Sequence, residues 1–297
     1  MSIFKKNKKI ATHDGTFHTD DIFAMACMQI LFGDKISVTR TRDMKIIKSA
    51  DIVFDVGGEY DEAQGRFDHH QIGGAGKREN DMPYASFGLV WKKYGEQICN
   101  SKKIAEKIDE KLVQSIDASD NGIDLFEARG LAQPFLIQNA LYAFRPTWKE
   151  SESYDKGFMK AVNIAKQILE REIICTRDAL DAEEKVRKVY EESSDKSIII
   201  FNERYPWEEL LISYPEPLIA VAPRVDGKWK AETVAVKLGS FERRIKFPES
   251  WAGKRDIELA QISGVADAIF CHNGRFMAVA LSKNGAIELA KKCLSMK

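Results

Sequence analysis

The feature of this sequence that most constrains its fold is the alternation of short apolar runs with helical ones over residues 9–116. Residues 9–12 read as a short strand. Residues 20–32 read as a helix with Thr19 or Asp20 as N-cap and an apolar surface nearly all round, which requires burial. Residues 36–40 are β-branched and alternating. Residues 51–56, Asp-Ile-Val-Phe-Asp-Val, form a central-strand pattern that ends on a carboxylate, Asp55, and breaks at Gly57-Gly58. Helices are expected at 84–94 and 104–116. Strand, helix, strand, strand, helix in this order predicts an α/β domain with a mainly parallel sheet and flanking helices.

Sheets of this kind place their ligands beyond the carboxyl ends of the strands. Four of the five histidines lie in two acidic clusters that follow such strands: His13-Asp14-Gly15-Thr16-Phe17-His18-Thr19-Asp20-Asp21, and Asp68-His69-His70. Histidine with carboxylate is the usual donor set for divalent metals in hydrolytic sites. On a strand-to-helix loop, His13, His18 and Asp20 can converge on one cation, and the helix N-terminus favours an anionic substrate. Asp55, at the end of a buried strand, is costly unless exposed or paired with positive charge, a condition that a metal-bridging carboxylate meets. In the second cluster one histidine can ligate metal, the other can face the substrate as electrophile or acid, and Asp68 can orient an imidazole. Asp117 and Asp120 end a predicted helix at a spacing of three, and either can complete the site; a helix-ending Asp-Asn-Gly turn is the alternative.

The rest of the chain is organised differently. Residues 154–192 form a long charged helical stretch, read as one or two helices. Strands are expected at 197–201, 218–222, 229–236, 268–271 and 275–281, then a helix from about Ser282 to Leu294. His272, Gly274 and Arg275 sit in a tight turn, where they either clamp an anion or simply make a hairpin. Arg40 and Arg42 leave a strand end on the expected metal side and are candidates for substrate phosphate, with a surface role as the alternative. Lys237, Arg243, Arg244 and Lys246 form either part of a nucleic-acid track or solvated surface.

Composition narrows the class. With 297 residues, 44% hydrophobic and 30% charged, the chain is long enough for two folded domains. Its net charge of +0 means that a polyanionic substrate needs a local patch. Five scattered cysteines without a Cys-x-x-Cys pair argue against a disulfide scaffold or a structural zinc site. The basic start at 2–9 precedes no long apolar run, and no stretch is long enough for a membrane span, so a cytoplasmic protein is expected.

The set His13-x4-His18-x-Asp20, Asp55-Val56-Gly57-Gly58, Arg66-Phe67-Asp68-His69-His70-Gln71 and Asp117-x2-Asp120-Asn121-Gly122 resembles the Myg-type metal-dependent hydrolase family, within the DHH phosphoesterase superfamily. The resemblance extends to Tyr205-Pro206-Trp207, Phe247-Pro248-x2-Trp251 and Cys271-His272-Asn273-Gly274. It implies a DHH-like catalytic domain at 1–150, a helical connector at 151–194 and a smaller α/β substrate-binding domain at 195–297. It further implies two ions of Mn²⁺ or Mg²⁺. One would be held by His13, His18 and Asp55, the other by Asp20, Asp55, His69 and one of Asp117 or Asp120, with His70 touching the scissile phosphate. Two features depart from the superfamily: His18 stands where Asp is usual, and the second half lacks a glycine run with histidine. The implied substrate is short RNA or another oligonucleotide cleaved from the 3′ end. A small phosphate or pyrophosphate metabolite is the alternative, as is a non-catalytic metal-dependent nucleotide-binding protein. The sequence does not fix the oligomeric state; a homodimer is compatible with it.

Overall fold

The computed structural model describes residues 7–127 and 130–296; most of the basic start at 2–9 lies outside them. The chain divides into two units, Met1–Arg177 and Asp178–Lys297. The first contains β1 (Lys8–Thr12), α1 (Thr19–Phe32), β2 (Ile36–Arg40), α2 (Met44–Ser49), β3 (Ile52–Phe54), β4 (Tyr60–Asp61), β5 (Arg66–Phe67), α3 (Ser86–Cys99), α4 (Lys102–Ile108), α5 (Gln114–Asp120) and α6 (Ile137–Tyr142). A single helix, α7 (Tyr154–Glu192), runs across the boundary between the units. The stretch that allowed one or two helices is therefore continuous, as expected where no proline or glycine follows Gly157.

The five strands of the first unit form one sheet in the order β2-β1-β3-β5-β4. β1 runs parallel to β2 and β3, and β3 parallel to β5; only the edge strand β4 is antiparallel. Three neighbouring strands thus end on the same edge, and each passes directly into a polar cluster: Thr12 into His13, Phe54 into Asp55, Phe67 into Asp68. The pattern of the sequence explains the packing on both faces. Ala11, Val53 and Val56 bury against Ile47 and Ala50, at α2 and its end. Residues Ile22 to Met28 of α1 are all buried, as an all-round apolar helix must be. Phe23 of α1 meets Phe87 of α3 with ring centroids 5.2 Å apart; full burial of one such side chain contributes about 1.5–3 kcal/mol.

The helix expected at 104–116 is instead three segments. Between α4 and α5 lies a π-helical turn, Asp109–Val113, which resets the angular phase of α5. The short elements α2, α6, β4 and β5 are not marked by periodicity, because two to six residues are too few to show one.

The second unit continues with β6 (Ile198–Ile200), α8 (Glu208–Ser213), β7 (Ile219–Pro223), β8 (Trp229–Thr233), α9 (Asp256–Ser263), β9 (Ala268–Cys271), β10 (Met277–Ala280) and α10 (Lys283–Ser295). Its sheet has the order β6-β7-β8-β10-β9; β6 and β7 are parallel and the other pairs antiparallel. The strand expected at 229–236 stops at Thr233, and Ala235 bridges to Arg243 instead. Among the described residues the fold is thus mixed α/β with two five-stranded sheets. Among the described residues no helix is long and apolar enough to cross a membrane.

Candidate metal centre

Asp55 is the hub of the first unit's polar edge. It leaves β3 in the left-handed region, φ +57°, a conformation that asparagine and aspartate tolerate better than other residues with a β-carbon. That turn directs its buried carboxylate back over the strand ends. Oδ2 lies 3.1 Å from His13 Nε2, and Oδ1 lies 3.5 Å from both His69 Nε2 and His70 Nδ1. One carboxylate therefore faces both histidine clusters.

The loop from β1 to α1 supplies the first cluster. His13 Nδ1 is 2.9 Å from the Asp14 carbonyl oxygen. A proton held there leaves Nε2 to face Asp55 and, at 3.2 Å, Asp21 Oδ2. The other Asp21 oxygen accepts the backbone N–H of His18 at 2.9 Å, which fixes the start of α1. Asp20, next in the chain and wholly buried, lies 4.0 Å from His69 Nε2. His69 Nε2 is also 3.0 Å from Asp120 Oδ2. The donor atoms of His13, His18 and Asp55, of Asp55, His69 and His70, and of His18, Asp20 and Asp120 form three groups, each with its atoms within 4.8 Å of one another.

Asp68 organises the second cluster without joining these groups. It accepts backbone N–H bonds from Gly58 (2.5 Å), His69 (2.8 Å) and His70 (3.2 Å), and its Oδ1 is 2.7 Å from His70 Nδ1. These bonds aim the His70 ring outward, with its side chain 59% exposed.

The charged groups of the cluster act strongly on one another. Burial alone would lower the His13 imidazole, but the Asp21 and Asp55 carboxylates beside it raise it to about 10. His69 is likewise raised to about 10, by Asp120 and Asp55 against burial. Burial tends to raise Asp55, yet its histidine neighbours hold it below the ordinary range. Asp20 is pushed well above that range, by burial first and then by the charges of Asp55, Asp120 and Asp21. His13 Nε2, both Asp20 oxygens, Asp21 Oδ2, Asp55 Oδ2 and His69 Nε2 are buried, and although the imidazoles lie 3.0–3.2 Å from carboxylates, none of these atoms has a well-directed hydrogen bond among the described residues. Buried polar atoms are rarely left so. Nitrogen and carboxylate donors that converge unsatisfied fit a divalent cation.

Asp117 and Asp120 part company. Asp117 turns away from the cluster: its Oδ2 is 2.8 Å from Arg78 Nη2 and its Oδ1 accepts the Gly88 N–H at 3.0 Å. Arg78 also clasps Asp109, at the head of the π-turn, with bonds of 2.9 and 2.7 Å. Three residues on a helix are about 60° out of phase, so two short side chains at that spacing can serve different faces.

Arg40 does not open onto the site either. Its side chain is only 2% exposed, bonded to Asp155 (2.9 Å) and to the Gly15 carbonyl oxygen (2.8 Å), and stacked over Phe158 at 4.7 Å. In the second unit, His272 Nδ1 accepts the Gly274 N–H at 2.9 Å and its ring lies 4.2 Å from that of Phe276, while Arg275 takes the left-handed conformation, φ +60°. These contacts serve the hairpin between β9 and β10. Arg244 and Arg243 are bonded to backbone carbonyls within the same unit. Asp21 escapes sequence reasoning as a site residue, because an acidic residue in the first turn of a helix needs no further role.

Residues 9–294 match MYG1_exonuc, described as Uncharacterised protein family (UPF0160). The chain is 29% identical to the MYG1 protein of Schizosaccharomyces pombe over 318 residues, which covers 96% of this chain and 97% of the relative. It is 30% identical to a MYG1 protein of Caenorhabditis elegans, over 97% and 95% of the two chains. It is 29% identical to the MYG1 exonuclease of Homo sapiens, over 97% and 86%. With a match from end to end, this chain belongs to the MYG1_exonuc family.

Proposed function

We propose that the protein is a divalent-metal-dependent phosphodiesterase that removes nucleotides from the 3′ end of short RNA. The observation that carries this reading is the convergence of unsatisfied imidazole and carboxylate atoms at the shared carboxyl edge of three parallel strands. Relatives named MYG1 exonuclease support nuclease chemistry, and Asp68-His69-His70 at a strand end supports kinship with DHH phosphoesterases.

In this reading His13, His18 and Asp55 hold one ion of Mn²⁺ or Mg²⁺. Asp20, Asp55, His69 and Asp120 hold a second. Asp120 is favoured over Asp117 because its carboxylate faces His69, whereas that of Asp117 is engaged by Arg78. Bound there, paired cations would supply Lewis acidity to the phosphoryl group and lower the pKa of a water. The chain's own residues do the rest. Asp68 raises the His70 imidazole, with partial burial opposing, and holds its Nδ1. His70 therefore keeps its second proton to higher pH than a free imidazole and presents Nε2 outward, where its N–H can stabilise the phosphate oxygens or protonate the leaving oxygen.

The test is release of mononucleotides from end-labelled short RNA under Mn²⁺, with pyrophosphate and mononucleotides as competing substrates. The parent protein is expected to cleave the RNA. Replacing His69→Ala should bring release below detection while the far-UV circular dichroism stays unchanged. Preference for pyrophosphate or a mononucleotide would assign a small-molecule phosphatase instead. Metal binding with no turnover of any of them would assign a binding protein, and retained activity in His69→Ala would refute the site.

A further inference from the structure

Two cations rest against the ring of Phe17, the residue before His18, and they differ in one respect. Arg40 lies 5.8 Å from the ring centroid and is neutralised by Asp155. Arg145 lies 5.6 Å from it and has no carboxylate partner among the described residues. The bonds of Arg145 go to one backbone oxygen: Nε donates to the Phe17 carbonyl at 3.1 Å, and Nη2 donates to the same atom. Its guanidinium is stacked on the Tyr142 ring with the central carbon 3.5 Å from the centroid. A half-buried guanidinium with five donors and a single acceptor carries an unused charge and unused hydrogen-bond capacity.

The position of this group matters as much as its charge. Tyr142 ends α6, and its phenol oxygen accepts the Thr19 hydroxyl at 3.3 Å, one residue before Asp20. Burial pushes the Tyr142 phenol up, Thr19 and Arg145 oppose the rise, and the charge of Asp120 adds to it. Arg145 and Tyr142 are therefore laid along residues 17–20, the segment that presents His18 and Asp20. With Thr19 donating, the phenol's own proton has no acceptor among the described residues. A guanidinium and a phenol O–H, both pre-oriented by stacking and both short of acceptors, match the oxygens of a phosphate group.

We propose that Arg145, aligned by Tyr142, is the substrate-phosphate anchor beside the metal centre, the role that the sequence pattern suggested for Arg40. The proposal rests on the phosphodiesterase reading and adds to it a binding residue and an orienting partner. Arg145 holds a phosphate of the RNA next to the bond that is cut, and Tyr142 adds a hydrogen bond. The guanidinium is held in place before substrate arrives, so little side-chain freedom is lost on binding.

The test measures three quantities in the full chain for the parent, Arg145→Gln, Arg145→Lys and Tyr142→Phe. They are Mn²⁺ affinity by calorimetry, affinity of the Mn²⁺-loaded protein for inorganic phosphate, and KM and kcat on labelled short RNA. Loss of hydrogen bonds to a charged group predicts that Arg145→Gln weakens phosphate binding about 10- to 100-fold and raises KM more than it lowers kcat. Mn²⁺ affinity should stay within about twofold of the parent. Arg145→Lys should recover part of the phosphate affinity, since it keeps the charge and loses the planar fork. Tyr142→Phe, which keeps the ring and deletes only the hydroxyl, should weaken phosphate binding by about tenfold.

Unchanged phosphate affinity in Arg145→Gln overturns the proposal. Phosphate and Mn²⁺ affinity lost together also overturn it, because Arg145 would then be a strut for residues 13–18. Should Arg145→Gln fail to fold, Tyr142→Phe decides by the same criterion. Failure of the phosphodiesterase reading looks different: the parent itself would bind Mn²⁺ and phosphate but leave RNA intact, and the variants would still rank the anchor.

Discussion

Replacing Gly88→Ala tests whether the Arg78–Asp117 pair fixes the helix that carries Asp120. A β-carbon at Gly88 would stand 1.9 Å from Asp117 Oδ2, 2.7 Å from its Cγ and 2.9 Å from Arg78 Nη2. The position is the third residue of α3, where alanine would gain at most about 1 kcal/mol over glycine. Here the methyl group must displace a carboxylate that accepts the Gly88 N–H and pairs with Arg78. Breaking a buried ion pair costs about 3–5 kcal/mol, although Arg78 keeps Asp109 and so loses less than an orphaned charge would. With the propensity gain subtracted, a net loss of about 2–4 kcal/mol is expected. Hydrogen exchange on the full chain reads this locally, as faster exchange in α3 and α5 with no change in β6 to β10. Mn²⁺ affinity should fall as well, since α5 ends on Asp120. The double variant with Asp117→Ala should lose less than the sum of the two singles, because the clash disappears with the carboxylate. A Gly88→Ala protein as stable as the parent, with strictly additive singles, would refute the argument.

Chelation should lower the melting temperature of the metal-loaded protein, because a ligand that binds only the folded state at 100 times its Kd contributes about 2.7 kcal/mol; no shift with EDTA would speak against the centre. Metal binding should release protons and strengthen as pH rises through neutrality, since His13 and His69 carry protons up to about 10 and must give them up to ligate; calorimetry in buffers of different ionisation enthalpy counts them. In the metal-free protein the same raised values act in the opposite sense. The stabilisation they carry is complete below pH 6.5 and is lost as pH climbs through about 10, which thermal unfolding across that window checks. Replacing Arg40→Met should destabilise the first unit by about 1–3 kcal/mol through the lost Asp155 and Gly15 contacts, with KM for RNA unchanged in the folded fraction; a raised KM at full stability would return Arg40 to the substrate.

The legible part of this protein is the part encoded by runs of one chemical character. β1, β2 and β3 are short apolar or β-branched stretches, and α1 is apolar all round, so each announces its own burial. The strand ends fall at His13, Asp55 and Asp68, as an α/β reading requires. What stayed hidden depends on phase and on partners distant in sequence. Asp117 and Asp120 look equivalent until the π-turn and the Arg78 clasp set the rotation of α5. Arg40 looks free until Asp155, 115 residues later, is folded against it. Arg145 sits beside a proline in an irregular segment, and nothing local distinguishes it from a surface cation. The hairpin at His272 was open between two roles in the sequence, and its hydrogen bonds are those of a turn.

The left-handed backbone at Asp55 bears on how the centre should be dissected. Alanine or glutamate at that position would have to adopt φ +57°, which costs about 1 kcal/mol or more before any ligand is lost. An alanine scan would therefore charge to chemistry a penalty that belongs to geometry. It would rank Asp55 above Asp20 and Asp120 even if all three served the cations equally. Asparagine, which tolerates the same turn and matches the side chain's shape, separates the two effects. Glycine, which fits the backbone and deletes the side chain, bounds them from the other side.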